Sequence, residues 1–225
     1  MPVLTRPVVC LVTNGAVRGA DDASADALVE LAVQAARAGV DIVQLREPRL
    51  SGTDALGLAR RVIAALDGFR TAVLVNDRTD VALASKAGGV HLRADAMPAS
   101  RVRAIAPREF LIGRSVHSLQ EARAAEADGE ADYLIFGTVF PTPSKPEGHT
   151  IAGVESLRDV CAKARLPVLA IGGLNVGRAA DVAAAGAAGI AAVGMFVEAG
   201  QQGEPAMSAL VSQLRRAFDT PRDVV

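Results

Sequence analysis

The chain has 225 residues, 50% of them hydrophobic but only 3% aromatic, with no Trp, so its apolar mass is Ala, Val, Leu and Ile. Its 24 basic and 25 acidic residues give a formal charge of −1 and leave no electrostatic footprint for nucleic acid. No apolar run approaches the roughly 20 residues of a membrane span, and Met1 to Arg6 lacks the layout of a secretory signal; no membrane partner and a cytoplasmic location are expected.

From the N-terminus, short apolar runs alternate with longer stretches of helical periodicity. Residues 7–13 read as a strand and 25–39 as an Ala-rich amphipathic helix; 41–46 and 53–66, 72–76 and 79–86, and 89–92 and 99–106 repeat the pair. The second half continues with 110–115 and 118–128, 133–137 and 154–164, 167–171 and 176–186, then 189–193 and 204–218. The strand runs are continuously apolar, as expected of parallel strands covered on both faces. Gly after a helix provides the left-handed cap that turns the chain back, at Gly39, Gly88-Gly89, Gly129 and Gly186.

Eight units in one chain of this length predict an α/β fold, a single (β/α)₈ TIM barrel over residues 1–225. A doubly wound open sheet would fit the alternation, but the first strand is not followed by a glycine-rich dinucleotide fingerprint. Cys10 and Cys161 have neither metal spacing nor a partner pattern and read as reduced thiols.

Active sites of such barrels lie in the loops after the strands. The second strand ends in Gln44-Leu45-Arg46-Glu47; Gln44 and Arg46 share a parity and can face one side. The third ends in Asn76-Asp77-Arg78 and the fourth in His91-Leu92-Arg93-Ala94-Asp95. His117, just past the fifth, can move protons near neutral pH or simply cap the following helix beside Ser118. His91 reads as a satisfied core or rim group, and His149 as a surface group of the long irregular stretch 138–153. That stretch carries Thr142, Ser144 and Lys145, which could meet an anion. Gly172, Gly173 and Gly194, at the ends of the seventh and eighth strands, predict a phosphate cradle of backbone amides completed by a short helix. Three dispersed histidines make no metal motif.

Taken in order, the segments 43–47, 75–78, 89–92, 113–119, 131–133, 140–145 and 170–174 resemble the thiamine-phosphate synthase and TenI-type thiazole tautomerase superfamily. The resemblance implies a thiazole phosphate as small-molecule substrate and, by analogy, a homo-oligomer. It also implies roles for Gln44, Arg46, Asn76, Thr142, Ser144 and Lys145 in substrate binding. In the synthases a pyrimidine pyrophosphate joins thiazole phosphate with help from Mg²⁺. Their second-strand motif ends Arg-Glu-Lys, but here Pro48 stands at the Lys; their fourth-strand motif ends in a metal-binding Asp, but here that position is Ala96, with Asp95 beside it. Asp77 matches the other metal carboxylate, relevant only to a synthase. These two departures, with the Gly113 to Leu119 stretch, favour a tautomerase in which His117 is the acid–base group and no cofactor is needed. The alternatives are a synthase with Mg²⁺ and a non-catalytic, thiazole-phosphate-binding or regulatory barrel.

Overall fold

The computed structural model describes residues 6–142, 148 and 150–219. Strands and helices alternate as β1 (Val8–Val12), α1 (Ala23–Arg37), β2 (Ile42–Leu45), α2 (Gly52–Ala65), β3 (Ala72–Asn76), α3 (Thr79–Ser85), β4 (Gly89–Leu92) and α4 (Ala99–Arg103). The second half runs β5 (Leu111–Val116), α5 (Leu119–Asp128), β6 (Tyr133–Gly137), α6 (Gly153–Lys163), β7 (Val168–Ile171), α7 (Val176–Ala184), β8 (Gly189–Ala192), α8 (Gly194–Gln202) and α9 (Glu204–Asp219). All strands are parallel, each pairs with its neighbours in sequence, and β1 pairs with β8, which closes the sheet into a barrel. The fold is a (β/α)₈ TIM barrel.

The continuous apolar strands are explained by two separate cores. Cys10, Ile42, Leu74, Leu111, Ile135 and Leu169 point inward and fill the barrel. The alternate residues, among them Leu11, Val43, Val75, Val90, Ile112 and Leu134, point outward and pack beneath the helices. A period of two therefore operates on every strand, with both faces apolar. Near the barrel centre Gly113 makes room for a large neighbour: a Cβ there would lie 2.3 Å from Tyr133 Cζ and 2.5 Å from His91 Nδ1.

Helix starts carry the expected oxygen caps. Asp22, Ser51, Ser118 and Asn175 each accept from an amide of the first turn, an arrangement worth about 1 kcal/mol apiece. At the C-terminal ends Gly39, Gly129 and Gly186 are left-handed, with φ of 87°, 86° and 94°. The end of α3 differs from expectation, because Lys86 takes the left-handed position at φ 59°. Gly89 is needed for close packing instead, since a Cβ would sit 2.2 Å from the Leu111 carbonyl oxygen. The fourth helix stops at Arg103, earlier than its periodicity suggests; Pro107 ahead of it disfavours continued helix. Among the described residues no helix is long and apolar enough to cross a membrane.

Candidate active site

The mouth at the C-terminal ends of the strands has two sides. On the β2–β4 side a cavity of about 350 Å³ is lined by Arg46, Glu47, Pro48, Asn76, Asp77, Arg78 and Arg93. The Thr13 hydroxyl accepts from the Arg46 amide at 2.8 Å, while the Glu47 carboxylate accepts from the amides of Gly15 and Val17 at 3.2 and 3.0 Å. Glu47 thereby ties the loop after β1 to the end of β2. The ion pair with Arg46 that adjacency suggests does not form, and the Arg46 side chain remains exposed at the cavity.

Deeper in the same side, Gln44 is 3% exposed and its Nε2 donates to Asn76 Oδ1 at 2.9 Å. Its Oε1 is buried without a hydrogen-bond partner. Such an orphan is costly unless something donates to it, and a ligand N–H reaching down the barrel would do so. The residue after Asn76, Asp77, holds φ at 65°, a region that favours Gly and is open to Asp. Strained residues of this kind cluster at functional sites. The Asp77 side chain is 34% exposed, and the Arg93 guanidinium lies 3.9 Å from it. Arg93 also holds Asp95 at 2.6 Å, so one guanidinium lies between the Asp77 and Asp95 carboxylates. Arg78 donates through Nε and Nη2 to the two oxygens of Asp80, at 2.8 and 2.6 Å, which lowers the Asp80 pKa.

Between the two sides, His91 lies inside the barrel with Nε2 2.8 Å from Ser115 Oγ and Nδ1 3.3 Å from the Tyr133 hydroxyl. Burial, helped by the Arg114 charge, lowers the His91 pKa to about 3, so the ring is neutral at physiological pH. Burial also keeps the Tyr133 phenol protonated. A neutral imidazole donates through one nitrogen and accepts through the other, so this chain fixes the Ser115 hydroxyl beneath the mouth. Sequence reasoning passed over Ser115; the signal was its shared parity with Gly113 on β5.

His117 stands at the rim with a side chain 54% exposed, its Nδ1 and its amide 3.0 and 2.8 Å from Glu121 Oε2. Ser118 Oγ accepts from the Glu121 amide at 3.1 Å. These are the bonds of a helix start, a variant of the capping box in which the glutamate reaches His117. Arg114 points outward and donates to the carbonyls of Met97 (2.6 Å), Ala94 (2.8 Å) and Ala96 (3.1 Å). It pins the loop after β4.

The β6–β8 side is built from backbone. Gly172 and Gly173 have φ of 102° and 63°, and a Cβ on Gly173 would lie 2.4 Å from the Pro141 carbonyl oxygen. The Phe140 amide donates to the Gly172 carbonyl at 3.1 Å, and Arg178 stacks 4.7 Å above the Phe140 ring. These contacts stitch the loop after β6 onto the loop after β7. Gly194 opens α8 beside them, with no side-chain cap on that helix and nothing within 4 Å of a would-be Cβ. Thr142 is half-buried on the same side. Ser144, Lys145 and His149 lie outside the described residues.

A family model described as thiamine monophosphate synthase matches residues 10–196. The chain belongs to this family, and with it to the enzymes of thiamine biosynthesis. It is 41% identical over 186 residues to a thiamine-phosphate synthase of Methanoculleus marisnigri, covering 83% of this chain and 85% of the relative. A thiamine-phosphate synthase of Methanocella arvoryzae is 39% identical over 188 residues, 83% of this chain and 88% of the relative. The solved thiamine phosphate pyrophosphorylase of Pyrococcus furiosus superposes with a TM-score of 0.76 at 30% identity, covering 94% and 95% of the two chains.

Proposed function

We propose that the protein is a thiamine-phosphate synthase, joining a hydroxymethylpyrimidine diphosphate to a thiazole phosphate with release of pyrophosphate. The observation that carries the reading is the naming of the relatives, which share 39 and 41% identity across most of both chains and are called synthases. It replaces the tautomerase that Pro48, Ala96 and His117 favoured on sequence grounds.

The site chemistry is consistent with that assignment. The orphaned Gln44 Oε1 is an acceptor suited to the amino group of a pyrimidine, with Asn76 beside it. The exposed Arg46 guanidinium faces the space where a diphosphate would lie, and arginine matches phosphate oxygens bidentately. The thiazole phosphate would take the amides around Gly172, Gly173 and Gly194, aided by the positive end of α8. The two substrates then meet across the mouth, above Ser115. There the carbon–oxygen bond to the diphosphate breaks as the thiazole nitrogen bonds to the pyrimidine methylene carbon. Holding both in register is a large part of such catalysis, and stabilising the departing charge supplies much of the rest.

Asp77 lines the cavity and is the carboxylate that would hold a Mg²⁺ ion, since Glu47 there is engaged by two backbone amides. One carboxylate fits magnesium, which keeps several waters and takes phosphate oxygens as ligands. When bound, the ion would neutralise charge on the diphosphate.

The test supplies purified protein with the pyrimidine diphosphate, thiazole phosphate and Mg²⁺ and follows thiamine phosphate. Steady formation is expected. No thiamine phosphate, with isomerisation of a carboxylated, non-aromatic thiazole phosphate, would return the assignment to the tautomerase.

A further inference from the structure

We propose that Arg93 is a diphosphate-binding residue of this site, held in reserve by Asp95 until the ligand arrives, so that part of the diphosphate affinity needs no divalent cation. The inference rests on the synthase reading for the identity of the ligand, but its geometry stands alone.

Three arginines line the cavity, and they differ in what they have left to give. Arg78 has both carboxylate oxygens of Asp80 on its Nε and Nη2, a two-point contact, where Arg93 makes a single contact with Asp95. Arg46 and Arg93 are the cations available to a ligand, and they reach the cavity from opposite sides of Asp77. Arg46 comes from β2 and Arg93 from the end of β4, the two strands that flank β3. A diphosphate seated over Asp77 would therefore have one guanidinium at each side.

The partners of Arg93 are suited to exchange. Its side chain is 58% exposed and that of Asp95 71% exposed, at a separation of 2.6 Å. The contact with Asp77, at 3.9 Å, is long. Exposed pairs of this kind hold weakly because water competes for both charges. A ligand with several negative charges outcompetes a single carboxylate for the planar fork. The backbone, by contrast, is fixed. The Ala96 amide donates to the Arg93 carbonyl at 3.1 Å, and Arg114 holds the carbonyls of Ala94, Ala96 and Met97. Arg93 thus combines a pinned Cα with a head group that can swing, which lowers the ordering cost of binding. It supplies from the β4 end a positive charge that Pro48 cannot supply from the β2 end.

Titration calorimetry with inorganic pyrophosphate tests this, in EDTA and again in Mg²⁺, on the wild type, Arg93→Ala, Arg93→Lys and Asp95→Asn. Wild type should bind in EDTA, and Arg93→Ala should lose about 10- to 100-fold there, the range set by one hydrogen bond to a charged group. In Mg²⁺ the same variant should lose less, because the cation at Asp77 carries more of the charge. Arg93→Lys should recover part of the loss, and Asp95→Asn, which releases the arginine, should bind pyrophosphate more tightly than wild type. Pyrophosphate binding in EDTA that is absent in wild type, or unchanged in Arg93→Ala, overturns the proposal. Thiamine phosphate formation by the wild type is scored separately. If it fails while binding still depends on Arg93, the synthase reading falls and the diphosphate site stands.

Discussion

The two sides of the barrel mouth are built by different means. The β6–β8 side uses backbone: left-handed glycines, carbonyl-to-amide stitches and the uncapped start of α8. The β2–β4 side uses side chains: Arg46, Asp77 and Arg93 around a 350 Å³ cavity, with Gln44 and Asn76 below. A backbone site is fixed by the fold and tolerates little substitution, because Gly172 and Gly173 have left-handed backbones and no room for a Cβ. A side-chain site can be changed one residue at a time, and it is on this side that Pro48 and Ala96 stand where the resemblance implies a Lys and an Asp.

The sharpest way to separate the sides is Gly173→Ala. The added Cβ meets the Pro141 carbonyl oxygen at 2.4 Å on a backbone with φ of 63°, so affinity for thiazole phosphate should fall about 100-fold. Strain of about 1–3 kcal/mol should accompany it, seen as a lower melting temperature. Unaltered thiazole phosphate binding by a folded variant would remove the backbone cradle from the site. Arg46→Ala should act on the other side alone. A 10- to 100-fold rise in KM for the pyrimidine diphosphate is expected, as for about one charge-assisted contact, with KM for thiazole phosphate within a factor of about two. Equal effects on both substrates would break the division of labour.

His91, between the sides, predicts a pH dependence. Its folded pKa, about 3, lies below the ordinary 6.5, so the unfolded chain binds a proton between those values that the native ring refuses. Stability is then full above pH 6.5 and falls as pH drops towards 3, by about 2 kcal/mol at pH 5 from this group. Denaturant melts of wild type and His91→Gln compare the slopes, and the variant should lose less between pH 7 and 5. Parallel slopes would mean that the ring is not buried neutral. The smallest effect belongs to His117→Ala. Because His117 is engaged with Glu121 at a helix start, synthesis should continue within about threefold and stability should fall by about 0.5 kcal/mol. Abolished turnover in a folded variant would make His117 catalytic and reopen the tautomerase assignment.

The two sides also differed in how they could be read from the chain. Gly172, Gly173 and Gly194 stand out because glycine at strand ends reports a backbone requirement, which is local. The positions of Arg46, Asn76 and Asp77 on strand ends were equally visible, since eight repeats fix where strands stop. What Arg93 does was not visible: its partners Asp77 and Asp95 lie on different elements or across a turn. The departures at Pro48 and Ala96 were legible as losses, and the local gain beside them was not.

The sequence by itself determined the barrel, because hydrophobic period and turn chemistry act over a few residues and repeat eight times. It also placed the chain in its superfamily. Only the tertiary structure decided which charges are already neutralised. Glu47 is held by two amides of the loop after β1, a contact that only the closed barrel makes, and it is the groups left unheld that can meet a ligand. It also decided the protonation of His91, because a histidine is neutral or charged according to the burial and charges that the closed barrel puts around it.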